Sequence, residues 1–140
     1  MVLFNHSFEF PKQSLEQINT PDGRYYKTEA GILLPSVTTV LGKSPKPELL
    51  AWKQRVGEDE ANKILKQAGR RGTVIHKIAE AYLLNDVDWK KNIMPFNLAT
   101  FLSIKPWIDT NIETVYGIEM PLYSLELNTA GTTDLVAKVN

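Results

Sequence analysis

Apolar positions recur at helical spacing most clearly between residues 73 and 84, where Val74, Ile75, Ile78, Ala79, Tyr82 and Leu83 share one side of a helix. The same period, more weakly kept, predicts helices over 47–56 and 58–68, with Pro47 suited to a first turn. Leu49, Leu50 and Trp52 give the first of these an apolar face, and Trp52 reads as core rather than as a stacking platform. Gly69-Arg70-Arg71-Gly72 either interrupts the second helix or joins it to the next. Leu98, Phe101, Leu102, Lys105 and Ile108 mark another helix, with Pro106 late in it. A shorter helix is expected from Ser36, a good N-cap, through Leu41, with Gly42 closing it.

Elsewhere the period shortens. Residues 24–28 and 32–34 read as a strand and its return, joined by a turn at Glu29-Ala30-Gly31. Beyond Ile112, segments 113–116, 118–123 and 132–139 are rich in β-branched and aromatic residues and read as extended, with a turn at 128–131. Residues 1–20 read as a loosely ordered arm whose Phe4, Phe8 and Phe10 suit a short strand or docking onto the body. Residues 21–140 read as one portion of a domain. The expected class is α/β in the broad sense, more narrowly α+β. A helical front half precedes an incomplete, mostly antiparallel sheet.

Composition narrows the chemistry. The chain has no cysteine, which excludes disulfides, thiolate nucleophiles, thiolate zinc sites and cysteine-held iron–sulphur clusters within it. Sixteen basic and sixteen acidic residues cancel, so any nucleic-acid contact must rest on local clusters. No apolar run is long enough to span a membrane and no secretion signal opens the chain, so a cytoplasmic location is expected.

Three groups of residues carry candidate chemistry. Asp134 sits in the β-branched run Gly131-Thr132-Thr133-Asp134-Leu135-Val136-Ala137, where aspartate is unusual. Alternation places it on one face with Thr132 and Val136, and a half-buried carboxylate there needs a cation, a metal or hydrogen bonds. A strand-start aspartate held by backbone N–H groups is an equally good reading. His76 lies one turn from both Gly72 and Glu80, so it could ligate a metal with a carboxylate orienting it, or simply belong to an amphipathic helix. Arg70 and Arg71 beside a helix start would make a phosphate site, as would Ser36, Thr38 and Thr39 at another, though capping alone explains Ser36.

The order of these motifs is informative. Tyr25-Tyr26, then 34–41 (Leu-Pro-Ser-Val-Thr-Thr-Val-Leu), Leu50-Ala51-Trp52-Lys53, 68–76 with Glu80, 119–124 and 130–136 follow one another. The series resembles the RecB-like branch of the PD-(D/E)xK nuclease superfamily, close to its phage-encoded and mitochondrial genome-maintenance exonucleases, from about Tyr25 to Asn140. The resemblance implies a restriction-endonuclease-like core and metal-dependent exonucleolytic cleavage of DNA at single-stranded ends, in replication, recombination or repair. It implies His76 and Asp134 as ligands of Mg²⁺, with Mn²⁺ as a substitute, and Glu119 close to the catalytic site. It implies DNA contacts from Ser36, Thr38, Arg70, Arg71 and Gly72, and host-cell cytoplasm if the source is viral. The family's next strand carries an acidic residue, any residue and a lysine. This sequence ends six residues after Asp134, so no position here takes the catalytic-lysine role. The expectation is a truncated chain, inactive alone and, if Asn140 is its true end, seeking a partner along its last strand. The alternatives are a non-catalytic DNA-binding module and one half of a split nuclease completed by a second chain.

Overall fold

The computed structural model describes residues 2–140; Met1, the first residue of the expected arm, lies outside them. The chain is α+β, with four helices and six strands among the described residues. Its strands form two three-stranded sheets. It resolves into two compact units, and the division falls within the two longest strands.

The sheet-rich unit comprises His6–Pro45 and Val115–Ala137. Strands β2 (Leu15–Thr20), β3 (Gly23–Thr28) and β4 (Leu33–Pro35) form an antiparallel meander. β2 lies inside the segment read as an arm. It pairs with β3 from Leu15 opposite Thr28 to Thr20 opposite Gly23. The tight reversal requires Gly23 at a φ of 132°, and a Cβ there would stand 2.6 Å from the Thr39 side chain. Helix α1 (Val37–Gly42) begins where expected, capped by Ser36. Tyr26, Leu34 and Ala130 form the buried centre of this unit, with Leu15 packed against them.

The two long strands are β5 (Ile112–Ser124) and β6 (Thr129–Val139), with the short β1 (Asn5–His6) on the other side of β5. The connecting turn is Leu125–Asn128, earlier than the expected 128–131. Asn128 takes a φ of 51° there, which Asn tolerates better than other non-glycine residues. β5 is continuous through Gly117, where the sequence suggested a break. Gly117 is needed because the Met120 side chain lies over it; an added Cβ would collide with Met120 Sδ.

The helical unit comprises the described residues through Asn5, Lys46–Thr114 and Lys138–Asn140. It holds α2 (Pro47–Val56), α3 (Glu58–Leu83) and α4 (Pro95–Asn111). The two helices expected over 58–68 and 73–84 are one helix of 26 residues. Gly69 and Gly72 each weaken a helix interior by about 1 kcal/mol relative to alanine. The helix persists because Ala61 on one side of them and Ile78, Tyr82 and Leu83 on the other are buried. α2 keeps its expected bounds, but Leu49 and Leu50 are exposed and Trp52 is only half-buried.

The centre of this unit is aromatic. Tyr82 meets Phe4, Trp89 and Phe101 edge to face, with ring centroids 5.3, 4.9 and 5.5 Å away. Such pairs add about 0.5–1.5 kcal/mol beyond their burial. Phe4 is thus docked here, while Phe8 and Phe10 belong to the sheet-rich unit, where Phe8 is exposed and Phe10 meets Tyr116 of that same unit. No helix among the described residues is long and apolar enough to cross a membrane.

Candidate functional site

Two of the three expected catalytic-site residues, Glu119 and the expected metal ligand Asp134, belong to the sheet-rich unit. β5 ends at Ser124 and β6 begins at Thr129. The hairpin brings the Glu119 and Asp134 side chains together. Their carboxylate oxygens lie within 4.8 Å of each other, and both residues are exposed. Asp134 therefore differs from its expected half-burial: its strand face is open to solvent at that level.

Glu119 has a φ of 50°, in the left-handed region that costs a non-glycine residue about 1–3 kcal/mol. Burial along β5 changes phase around it. Val115 and Met120 are both buried although an odd number of positions apart, which strict alternation forbids. The local distortion thus turns Glu119 relative to a regular strand. Strain of this kind persists only where surrounding structure holds it, and it concentrates at functional sites.

Neighbouring residues on β6 are held in place by the meander. Ala130 forms a parallel bridge with Ser36. Thr129 donates its hydroxyl hydrogen to the Pro35 carbonyl at 3.0 Å, and the Thr132 and Tyr26 hydroxyls are 3.3 Å apart. Arg24, Tyr26, Thr38, Tyr123 and Thr132 are among the residues lining a cavity of about 520 Å³ in this unit.

Ser36 also lines this cavity, but it is buried and its hydroxyl is engaged. It accepts from the Thr39 N–H at 3.0 Å and lies 2.8 and 2.9 Å from the Thr38 and Thr39 hydroxyls. Capping therefore accounts for it, while Thr38 is exposed. Thr39 completes the arrangement. Its hydroxyl accepts from Arg24 N–H at 2.9 Å and donates to the Arg24 carbonyl at 2.8 Å, tying α1 to β3. From sequence Thr39 is only a helix-start hydroxyl that could hold a phosphate; its engagement by Arg24 is what the structure adds.

The remaining expected residues lie on α3 in the helical unit. His76 is exposed on its final turns, one turn from Gly72 and from half-buried Glu80. Arg70, Arg71 and Gly72 are in mid-helix. The expected phosphate site at a helix start is thus corrected: the N–H groups there are bonded within the helix and unavailable to an anion. Arg71 places its guanidinium over the Phe96 ring, 4.8 Å from the centroid. Lys138, four residues beyond Asp134, pairs with Glu113 at 2.8 Å.

One polar cluster escaped the sequence reading. The Tyr82 hydroxyl donates to Asp109 Oδ1 at 2.5 Å, and Lys105 Nζ lies 2.6 Å from Asp109 Oδ2. Burial, reinforced by the hydrogen bond to Asp109, pushes the Tyr82 phenol up. The hydrogen bond to Asp109 pushes Lys105 up as well. Burial alone would raise Asp109, but the hydrogen bonds from Lys105 and Tyr82 outweigh it and hold the carboxyl below its usual range. The i,i+4 spacing of Lys105 and Asp109 was a visible signal; their meeting with Tyr82 was not.

Compared with known proteins, the chain matches no family model, no curated protein and no solved structure.

Proposed function

We propose that this chain carries the metal-binding part of a nuclease of the RecB-like PD-(D/E)xK kind, hydrolysing DNA phosphodiester bonds at single-stranded ends. The observation that carries the reading is the Glu119–Asp134 pair, two exposed carboxylates converging within 4.8 Å around a strained backbone. The motif order that runs from Tyr25 to Val136 supports it independently.

The donor set suits a hard divalent cation. Mg²⁺ is commonly held by one or two carboxylates, with water and substrate phosphate completing its shell. Glu119 and Asp134 would supply those oxygens. A cation held there would lower the pKa of a bound water and offset charge building on the phosphate. The chemistry is a displacement. The water oxygen forms a bond to phosphorus, the scissile P–O bond breaks, and the leaving oxygen gains a proton. Glu119 and Asp134 would orient that water and accept its hydrogen bonds. Arg24 and Thr38, on the wall of the cavity in the sheet-rich unit, are proposed to hold a flanking phosphate.

The test has two readouts. One is calorimetric titration of the chain with Mg²⁺. The other is digestion of end-labelled single-stranded DNA with Mg²⁺ or chelator, by the chain alone and mixed with a second chain carrying an acid-x-lysine strand. Asp134→Asn and Glu119→Gln should each abolish Mg²⁺ binding and Mg²⁺-dependent digestion. Full retention of both by Asp134→Asn would sink the reading.

A further inference from the structure

The continuity of α3 creates a surface that two separate helices would not have. Lys63, Lys66, Arg70 and Lys77 recur at steps of three, four and seven residues along it. With 3.6 residues per turn these steps keep all four on one stripe, spanning about 21 Å of helix axis. All four are exposed. The buried residues Ala61, Tyr82 and Leu83 lie on the opposite side of the helix, and buried Ile78 lies on its flank. None of the four cations has an ion-pair or hydrogen-bond partner among the described residues. The helix's first-turn acids, Glu58, Asp59 and Glu60, are segregated at its N-terminus, where the helix dipole favours them. In a chain of zero formal net charge, this is a local concentration of positive charge, with Asp59 at its head one turn before Lys63.

We infer that this stripe is a tracking surface for the sugar-phosphate backbone of a nucleic-acid strand, and that it holds DNA outside the hydrolytic site. The inference rests on the proposed function only for the choice of DNA as the polyanion. A linear row of cations on a straight element matches a linear row of phosphates. A membrane surface fits less well. A helix that lies on lipid keeps its apolar face free for insertion, whereas this helix has buried part of that face within its own unit. Arg71 is not part of the stripe, since it turns aside onto Phe96.

Binding of an end-labelled single-stranded oligonucleotide to the full chain, followed by fluorescence anisotropy across a salt series in chelator, tests this without any cleavage. Each phosphate neutralised contributes about 0.7 to the slope of log affinity against log salt for a single strand. The variant Lys63→Gln/Lys66→Gln/Arg70→Gln/Lys77→Gln should therefore flatten that slope by about 3. Each single replacement should flatten it by about 0.7. Glutamine keeps a helix propensity close to lysine, and the single variants carry the test if the combined one fails to fold. Lys63→Arg/Lys66→Arg/Lys77→Arg should retain the parent slope. An unchanged slope in the neutralised variants overturns the proposal. So does an equal loss in Lys12→Gln/Lys27→Gln, which would mean non-specific attraction. Binding to phosphatidylserine vesicles without binding to the oligonucleotide would overturn it in favour of a membrane. Because chelator is present, failure here leaves the metal-site reading to its own test, and failure there leaves this one standing.

Discussion

At the scale of single residues, Asn85 shows how a local signal acquires a distant role. Its position after the strongest helical pattern marks it as a helix terminator, and it takes a φ of 61° there. Its side-chain amide then clasps Phe4, 81 positions away. Phe4 N–H donates to Asn85 Oδ1 at 2.8 Å, and Asn85 Nδ2 donates to the Phe4 carbonyl at 3.0 Å. Asn85→Gly preserves the backbone conformation but leaves both Phe4 groups without this partner. It should cost about 1–3 kcal/mol in denaturant unfolding. Asn85→Ala should cost more, because it adds strain at positive φ. The Tyr82–Asp109–Lys105 cluster makes a prediction with a definite sign. Asp109 has a lowered folded pKa, so its contribution is present above the ordinary carboxylate range and is lost as pH falls through the lowered value. Tyr82 and Lys105 have raised folded pKa values, so theirs is present below the ordinary tyrosine and lysine ranges and lost as pH rises through the raised ones. Thermal melts across pH should show Asp109→Asn with a shallower acid limb than the parent. Tyr82→Phe should have a shallower alkaline limb.

At the scale of elements, the readable features were those set by short-range chemistry. Helix α2 starts at its proline, α1 starts at its serine cap, and β3 returns through a glycine turn as the sequence indicates. The continuity of α3 was not readable, because two glycines three residues apart look like a stop until the flanking burial is known. The single strand β5 was hidden for a similar reason. Gly117 resembled a break, but Met120 needs the missing side chain's space. β2 was obscured by the polar sequence Glu16-Gln17 and Asn19-Thr20, and its pairing with β3 supplies what its own residues do not. An added Cβ at Gly69 or Gly72 would meet nothing within 4 Å. Gly69→Ala and Gly72→Ala should therefore each stabilise the chain, by up to about 1 kcal/mol. A rise in melting temperature measures it. If Gly72→Ala stabilises yet weakens oligonucleotide binding, Gly72 serves close approach of the strand; if binding is unchanged, it does not.

At the scale of the whole molecule, the sequence supplied the types of residue at the candidate site but not their register. Glu119 and Asp134 meet across a hairpin whose turn is Leu125–Asn128. A turn at 128–131 would pair Asp134 with a different residue, and the distortion at Glu119 has no signature in its neighbours. Two carboxylates so close repel in the absence of a cation, and each favours a bound one. Metal binding and folding should then be linked. At a Mg²⁺ concentration about a hundred times its dissociation constant, linkage adds about 2.7 kcal/mol to stability. For a chain of this size that corresponds to a rise in melting temperature of roughly 5–10 °C. Glu119→Gln and Asp134→Asn should each lose the rise. Hydrogen exchange should locate the gain in β5 and β6, the strands that carry the carboxylates, since protection follows the segment whose opening the cation opposes. A Mg²⁺ rise of equal size in the parent and in both carboxylate variants would place the cation elsewhere on the chain.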